Sequence, residues 1–311
     1  MTGTNSSSGT YTLSGTLCVP KAGDQHVGTI QLLVHGIAFD STYWDFSYQP
    51  QKYSYVYAAA EAGYTTFAYD RLGTGKSDKP DGYHVVQSPT DLQILISFIS
   101  LLHEGKIGGK TYKKIIGVGH SYGSIQLAAA SAVVPAQLSA LVLTGFSANA
   151  SYIPQFETSN AFTRADMTFP SRFAGLAGEY VVSGLPQSSQ INFLLYPYYD
   201  PDAAEVQWET SQPVSMGVLF TLGAIGGAAS GFTGPVHVVT GDSDWVFCGS
   251  QCGIRPDGVH TILELVGPTV FPKSDDFSVY SPANTGHGLN LHYTAPESYA
   301  DIMGWLKAIK Y

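Results

Sequence analysis

Residues 114–130 read KIIGVGHSYGSIQLAAA, and this stretch decides the fold of the chain. Its first part, Lys114–Val118, is a short apolar run, which is typical of a buried strand. Its last part continues as an alanine-rich run, and residues 122–133 are predicted to form a helix. The five residues Gly119-His120-Ser121-Tyr122-Gly123 lie between the two. Ser121 is therefore expected on the turn that joins strand to helix.

These five residues fit the pattern G-x-S-x-G. A turn this sharp raises the serine above the sheet, at the start of a helix, and side chains at 119 and 123 would collide with neighbouring backbone. In its strand–turn–helix context the pattern resembles the nucleophile elbow of α/β-hydrolases. The competing interpretation is a tight turn that holds a serine by chance. The context favours Ser121 as a nucleophile.

Apolar β-branched runs alternate with helical patterns along most of the chain, which predicts a mostly parallel central sheet with helices on both faces. Ser88-Pro89-Thr90-Asp91 is a helix start signal, and that helix is expected to reach Gly105. Pro296–Ile309 is predicted to form the closing helix. The predicted strands are an antiparallel leader, Tyr11–Val19, followed by Thr29–Val34, Thr65–Tyr69, Lys114–Val118, Ala140–Thr144, Val236–Thr240 and Phe277–Tyr280.

The segment 147–233 breaks this alternation and is too long for a loop. We expect a mainly helical insertion there, and an α/β-hydrolase core formed by residues 1–146 and 234–311. The resemblance implies that the insertion is a cap over the active site and governs substrate choice.

A nucleophilic serine needs a histidine base. In α/β-hydrolases the acid follows the nucleophile along the chain and the histidine comes last. His287 lies in the glycine-flanked loop Asn284-Thr285-Gly286-His287-Gly288, after the last predicted strand. His287 is the candidate base, and His292, five residues later, is its rival.

The base needs an orienting acid. Gly241-x-x-Asp244 follows the predicted strand Val236–Thr240, and it matches a strand-end motif of α/β-hydrolases in which the aspartate is the triad acid. The resemblance therefore implies that Asp244 is the acid. Asp242 is the alternative acid, and its competing interpretation is a turn-capping aspartate.

Two further segments resemble the same family. His35-Gly36-Ile37 ends the first central strand, where these enzymes place one donor of the oxyanion hole. The resemblance implies that the backbone amides of Ile37 and Tyr122 are the two donors. Residues 70–78, DRLGTGKSD, resemble the family's D-x-x-G-x-G-x-S loop, whose role is structural.

The composition excludes several classes of partner. The net charge is −9, and the 15 Lys and Arg form no run, which argues against nucleic acid. The most apolar stretch, 216–229, is short and interrupted by glycines, so no membrane span is expected. No motif predicts a cofactor, and no metal is expected. The predicted partner is a small apolar molecule, and the oligomeric state stays open.

Cys248-x-x-x-Cys252 predicts either a small disulfide loop or, less well supported, part of a metal site. Cys18 is then free or the true partner of one of the two. A charged fraction of 13% with abundant Gly, Tyr and Pro favours an extracellular enzyme. With the leader Cys18-Val19-Pro20, the whole pattern is most similar to secreted α/β-hydrolases of filamentous fungi, many of which lie beside secondary-metabolite genes. A secreted protein is therefore predicted.

The predicted reaction is hydrolysis of a neutral, apolar carboxylic ester or lactone through an acyl-enzyme. A C–C bond hydrolase, a lyase or cofactor-free haloperoxidase chemistry would use the same triad, and a non-catalytic or biosynthetic cyclase role is the alternative from another class. The insertion has no lysine, and only Arg164 and Arg172 oppose its seven acids, which argues against phosphate-bearing acyl-CoA. Four of its aromatic residues are candidates either for an apolar pocket or for the core of the cap. They are Tyr196, Tyr198, Tyr199 and Trp208.

Overall fold

The computed structural model describes residues 9–311. Its strands are β1 (Gly15–Cys18), β2 (Thr29–Val34), β3 (Thr66–Tyr69), β4 (Lys114–His120), β5 (Ala140–Thr144), β6 (Thr163–Arg164), β7 (Tyr180–Val182), β8 (Val214–Ser215), β9 (Val236–Val239) and β10 (Phe277–Tyr280). Seven of them form the central sheet in the order β1-β3-β2-β4-β5-β9-β10. Every neighbouring pair is parallel except β1 with β3. The predicted fold class is confirmed.

Helices cover this sheet. The α-helices of the described residues are α1 (Pro50–Tyr53), α2 (Tyr55–Glu61), α3 (Ser88–His103), α4 (Tyr122–Val133), α5 (Ile153–Ser159), α6 (Ala165–Thr168), α7 (Pro170–Phe173), α8 (Pro186–Phe193), α9 (Pro201–Thr210), α10 (Met216–Thr221), α11 (Trp245–Cys248), α12 (Val266–Val270) and α13 (Ala295–Ala308). Short 3₁₀ turns lie at Ser41–Tyr43, Pro135–Gln137, Leu222–Ile225 and Leu289–Leu291.

The predicted elements differ from the observed ones mainly at their ends. The strands β2, β5 and β10 and the helix α4 have the predicted bounds. The leader strand is shorter than predicted, because only Gly15–Cys18 pairs with β3. All six residues of β2 are buried, as are all but the first of β4, which explains their continuous apolar runs.

The segment 147–233 contains α5–α10 and also a three-stranded antiparallel sheet in the order β6-β7-β8. The sequence did not predict this sheet. Its strands are only two or three residues long, too short for an alternating pattern to register. We keep 147–233 as the proposed cap. Residues 1–8 of the predicted core lie outside the described residues.

Cys248 and Cys252 form a disulfide, and Cys18 is unpaired and half-buried. Of the two interpretations of this spacing, the structure has the disulfide. Between residues 9 and 311, no helix has the length and apolar character needed to cross a membrane. The same residues contain no group of three or more His, Cys, Asp or Glu side chains placed to hold a metal ion.

Candidate active site

Ser121 lies between β4 and α4 in a backbone conformation that few residues other than glycine adopt, with φ 55° and ψ −117°. The neighbouring chain leaves no space for side chains on either side of it. A Cβ at Gly119 would lie 2.7 Å from the Ser124 nitrogen, and one at Gly123 would lie 2.0 Å from the Val34 oxygen. Glycine is therefore needed at positions 119 and 123 for the steric reason that the sequence predicts.

His287 joins Ser121 to Asp244. Its Nε2 lies 2.8 Å from Ser121 Oγ, and its Nδ1 lies 2.7 Å from Asp244 Oδ2. Because a carboxylate only accepts hydrogen bonds, Nδ1 carries the proton and Nε2 is left to accept one from the serine. The second oxygen of Asp244 accepts the backbone N–H of Phe247 at 2.9 Å, which fixes the carboxylate at the start of α11. All three side chains are buried.

The two rival residues, Asp242 and His292, lie nearby, and their side chains accept backbone N–H groups of neighbouring loops. Asp242 Oδ1 accepts the Thr285 N–H at 3.2 Å. His292 Nε2 accepts the N–H groups of Gly286 and Leu195, each at 3.0 Å. The structure thus brings Ser121, His287 and Asp244 together.

The predicted oxyanion donors lie beside Ser121. A Cβ at Gly36 would lie 3.0 Å from Ser121 Cβ, so the loop before Ile37 passes directly against the serine. The Tyr122 amide begins α4, where the helix leaves its first N–H groups unpaired. Within residues 9–311, no protein group accepts a hydrogen bond from the Ile37 or Tyr122 amide. Both are available to a ligand oxygen.

Residues 31–302 match the sequence model of the alpha/beta hydrolase family. The chain belongs to the alpha/beta hydrolase family. A search of curated proteins found no match to this hydrolase.

Solved structures share the fold of this α/β-hydrolase at low identity. A monoacylglycerol lipase from Paleococcus ferrophilus is 18% identical with a TM-score of 0.61, over 95% of this chain and 98% of that one. A structure reported with carboxylesterases of Nitrososphaera gargenis is 16% identical with a TM-score of 0.64, over 99% and 98%. A thermophilic esterase from Thermogutta terrifontis is 16% identical with a TM-score of 0.63, over 96% and 94%.

A buried ion pair contacts groups next to both predicted oxyanion donors, the Gly36 oxygen and the Tyr122 ring. Arg71 Nη1 lies 3.1 Å from Asp91 Oδ2, and both residues are 2% exposed. The Arg71 guanidinium lies 4.8 Å from the ring centre of Tyr122, whose hydroxyl donates to Asp91 at 3.2 Å. Burial raises the pKa of Asp91, and Arg71 opposes that shift. Sequence reasoning missed this pair, because the two residues are distant along the chain.

The same arginine orients the peptide between Gly36 and Ile37. The Gly36 oxygen accepts Arg71 Nη2 at 3.1 Å and His35 Nδ1 at 2.9 Å. In a trans peptide the carbonyl and the following N–H point in opposite directions. The Ile37 N–H therefore points away from Arg71 and His35. Burial, followed by the charge of Arg71, lowers the pKa of His35 well below its ordinary value, so His35 is neutral.

The predicted cap is tied to the loop that carries His287. The Phe193 oxygen accepts the Gly288 N–H at 2.6 Å, and the Tyr198 oxygen accepts the Tyr293 N–H at 3.1 Å. His292 joins the two segments by accepting one N–H from each, while its Nδ1 donates to the Gly288 oxygen. Burial lowers the pKa of His292 to about 4, in keeping with this acceptor role. His292 is thus a clamp between the proposed cap and the histidine loop.

Aromatic rings close the site, but they are not the ones that the sequence singled out. Phe193 stacks on His287 with ring centres 5.9 Å apart, and Phe247 lies 5.7 Å from it. Tyr199 and Trp208 line a separate cavity of about 320 Å³ between α8 and α9. Tyr196 and Tyr198 are exposed. No local pattern marks Phe193, because it reaches His287 only through the tertiary fold.

Proposed function

We propose that this α/β-hydrolase cleaves a neutral, apolar carboxylic ester or lactone through an acyl-enzyme on Ser121. One observation carries the proposal: Ser121 Oγ lies 2.8 Å from His287 Nε2, and His287 Nδ1 lies 2.7 Å from the buried Asp244. This is the arrangement that a nucleophilic serine requires. The lipase and esterases that share the fold fit the proposal.

The steps follow from the positions of these groups. His287 Nε2 takes the proton of Ser121 as Oγ attacks the substrate carbonyl, and the amides of Ile37 and Tyr122 hold the oxygen that becomes negative. The imidazolium then returns the proton to the departing alkoxide, which leaves the acyl group on Ser121. Water, deprotonated by His287, releases the acid by the same route. Asp244 stabilises the imidazolium in both halves.

The charges of the cap favour a neutral substrate. Arg164 lies 2.7 Å from Asp166, and Arg172 donates to the oxygens of Glu209, Thr210 and Ser211. Both arginines of the cap are therefore engaged within the protein, and the cap contains no lysine. An anionic substrate such as acyl-CoA would meet seven acids with little to oppose them.

A serine substitution tests the proposal. Ser121→Ala should retain the fold, lose the hydrolysis of p-nitrophenyl acetate and no longer react with a fluorophosphonate probe. Ser131→Ala is the matched control, because the Ser131 hydroxyl lies on the same helix and donates to the Ala128 oxygen. Activity that survives in Ser121→Ala would refute the proposal. Wild-type protein that ignores the probe would favour a non-catalytic role.

We also propose that the protein is secreted. The Cys248–Cys252 disulfide supports this, since such bonds persist in oxidising compartments. Trapping thiols during isolation from the native host should find this pair fully oxidised outside the cell. A reduced pair in protein held inside the cell would contradict the proposal.

A further inference from the structure

A cavity of about 590 Å³ lies on the flank of α4, the helix that begins directly after Ser121, and we call it the α4 pocket. One face of the helix forms its floor, with Ile125, Ala128 and Ala129 spaced three and four residues apart. The chain entering the cap, the segment 222–228 and the end of α12 form the other walls. Its volume lies in the range of small-molecule sites, about 300–1,000 Å³.

The chemistry of the α4 pocket is that of a hydrocarbon site. None of the described residues that line it carries a charge. Two lining side chains have hydroxyl groups, Ser147 and Thr269, and both donate to backbone oxygens, those of Phe247 and Leu265. No lining side chain thus has a hydroxyl proton left to offer, and a polar group held against these walls would exchange water for apolar side chains.

The α4 pocket and the base His287 have one phenylalanine, Phe247, as a common neighbour. Phe146 and Phe247 both line it, with their ring centres 5.7 Å apart, and the ring of Phe247 lies 5.7 Å from that of His287. Ile125 lies one helical turn beyond Ser121. Neither Ser121 nor His287 lines the α4 pocket, so the ring of Phe247, which borders both the pocket and His287, marks the path by which an acyl chain on Ser121 would enter it.

A second, smaller cavity is lined by His287 itself. This cavity measures about 200 Å³ and lies between α8 and α11. The clamp through His292 ties α8 and the chain after it to the histidine loop, so widening this side would disturb the base itself. The α4 pocket has no such restraint along the glycine-rich segment 222–228, where Gly223, Gly226, Gly227 and Ala228 are exposed.

We infer that the α4 pocket binds the hydrocarbon part of the acyl group, so the preferred substrates are esters of medium or long unbranched acids. This inference rests on the proposed hydrolysis at Ser121. It predicts that kcat/KM depends on the length of the acyl chain, and that a substitution of one pocket residue removes this dependence.

Filling the pocket tests the inference. In Ala129→Phe the new ring occupies space next to Ile125. We expect kcat/KM for p-nitrophenyl octanoate to fall by about 200-fold if four methylenes are excluded, at roughly fourfold for each. Hydrolysis of p-nitrophenyl acetate, which does not reach the pocket, should change by less than about twofold. Val133→Phe is the matched control, since it adds bulk at an exposed position of the same helix.

Binding gives a readout that does not depend on catalysis. Octan-1-ol, a neutral probe, titrated by calorimetry should bind wild type and Val133→Phe but not Ala129→Phe, with all three showing wild-type circular dichroism. The inference is overturned if wild type does not bind octan-1-ol, or if Ala129→Phe binds it as well as wild type does. It also fails if the two esters lose rate in equal proportion. Wild type that binds octan-1-ol but neither cleaves esters nor reacts with fluorophosphonate would refute the proposed function while supporting the pocket as a hydrocarbon site.

Discussion

The buried pair Arg71–Asp91 leads to a specific prediction about which residues position the amides of Ile37 and Tyr122 in the proposed oxyanion hole. Arg71 holds the Gly36 carbonyl, stacks on Tyr122 and pairs with Asp91, which in turn accepts the Tyr122 hydroxyl. Yet Arg71 Nε and Asp91 Oδ1 have no hydrogen-bond partner among residues 9–311. Incompletely satisfied buried pairs contribute little net stability, which favours a positioning role here.

Two substitutions separate positioning from stability. Arg71→Met leaves the Asp91 carboxylate buried and unpaired, and it should lower the free energy of unfolding by about 3–5 kcal/mol. Arg71→Met combined with Asp91→Asn removes both charges and keeps an acceptor for the Tyr122 hydroxyl, so most of that stability should return. Neither variant restores the Nη2 donor to the Gly36 oxygen.

The catalytic defect should therefore persist in the stable double variant. Loss of one oxyanion donor costs about 10²–10³ in kcat. We expect about 100-fold, the low end, because His35 Nδ1 still donates to the Gly36 oxygen. KM for p-nitrophenyl acetate should stay within about twofold, because the donor acts on charge that develops in the transition state. Affinity for a phenylboronic acid, which places an oxygen in the same hole, should fall with kcat.

Urea unfolding and steady-state kinetics on the three proteins give the answer. If the double variant regains both stability and kcat, the pair serves only the fold and the positioning argument is wrong. The same holds if Arg71→Met, measured where it is folded, keeps wild-type kcat and boronic acid affinity.

Three other predictions follow from the site. Asp244→Asn should lower kcat by about 10⁴, because the amide oxygen stays on the Phe247 N–H and the NH2 group then faces His287 Nδ1, which imposes the wrong tautomer. Asp242→Asn should stay within about tenfold, and equal losses in the two would contradict the assignment of the acid. Removing the disulfide with Cys248→Ala and Cys252→Ala should cost about 2 kcal/mol in urea unfolding, the chain entropy of a five-residue loop, and an unchanged midpoint would contradict this. Burial lowers the pKa of His35, His120 and His292, so these side chains stay neutral in the folded protein below pH 6.5, where the unfolded chain takes up protons. The free energy of unfolding should therefore fall by about 4 kcal/mol between pH 7.5 and pH 5.5. A free energy of unfolding that does not change over this range would show that the three histidines titrate alike in the folded and unfolded states.

The elements that the sequence predicts well are those with a local cause. The elbow at Ser121 is visible because steric crowding at Gly119 and Gly123 leaves a pattern in five adjacent residues. Strands β2, β4 and β5 are visible because burial on both faces leaves continuous apolar runs. The carboxyl ends of parallel strands lie at one edge of the sheet. Candidate residues that directly follow these strands are therefore also predicted to lie close together.

The features that the sequence does not reveal depend on contacts across the fold. Arg71 and Asp91 form their pair between a loop and α3, and Phe193 covers His287 from the cap. Neither has a neighbour in sequence that marks its role. In the sequence His292 is a plausible rival base because it has the same imidazole side chain as His287. The hydrogen-bond partners distinguish the two residues, since His292 Nε2 accepts backbone N–H groups whereas His287 Nε2 faces the Ser121 hydroxyl.

The clamp through His292 has a consequence for how the cap and the chemistry are related. One imidazole nitrogen accepts an N–H from the cap, at Leu195, and another from the histidine loop, at Gly286. The Gly288 N–H donates back to the cap at Phe193. A rigid movement of this part of the cap would therefore shift the loop that carries His287. The segment 193–199 must stay in place for the base to keep its position. Adaptation to substrates of different shape therefore falls to the walls of the α4 pocket, which approach His287 at Phe247.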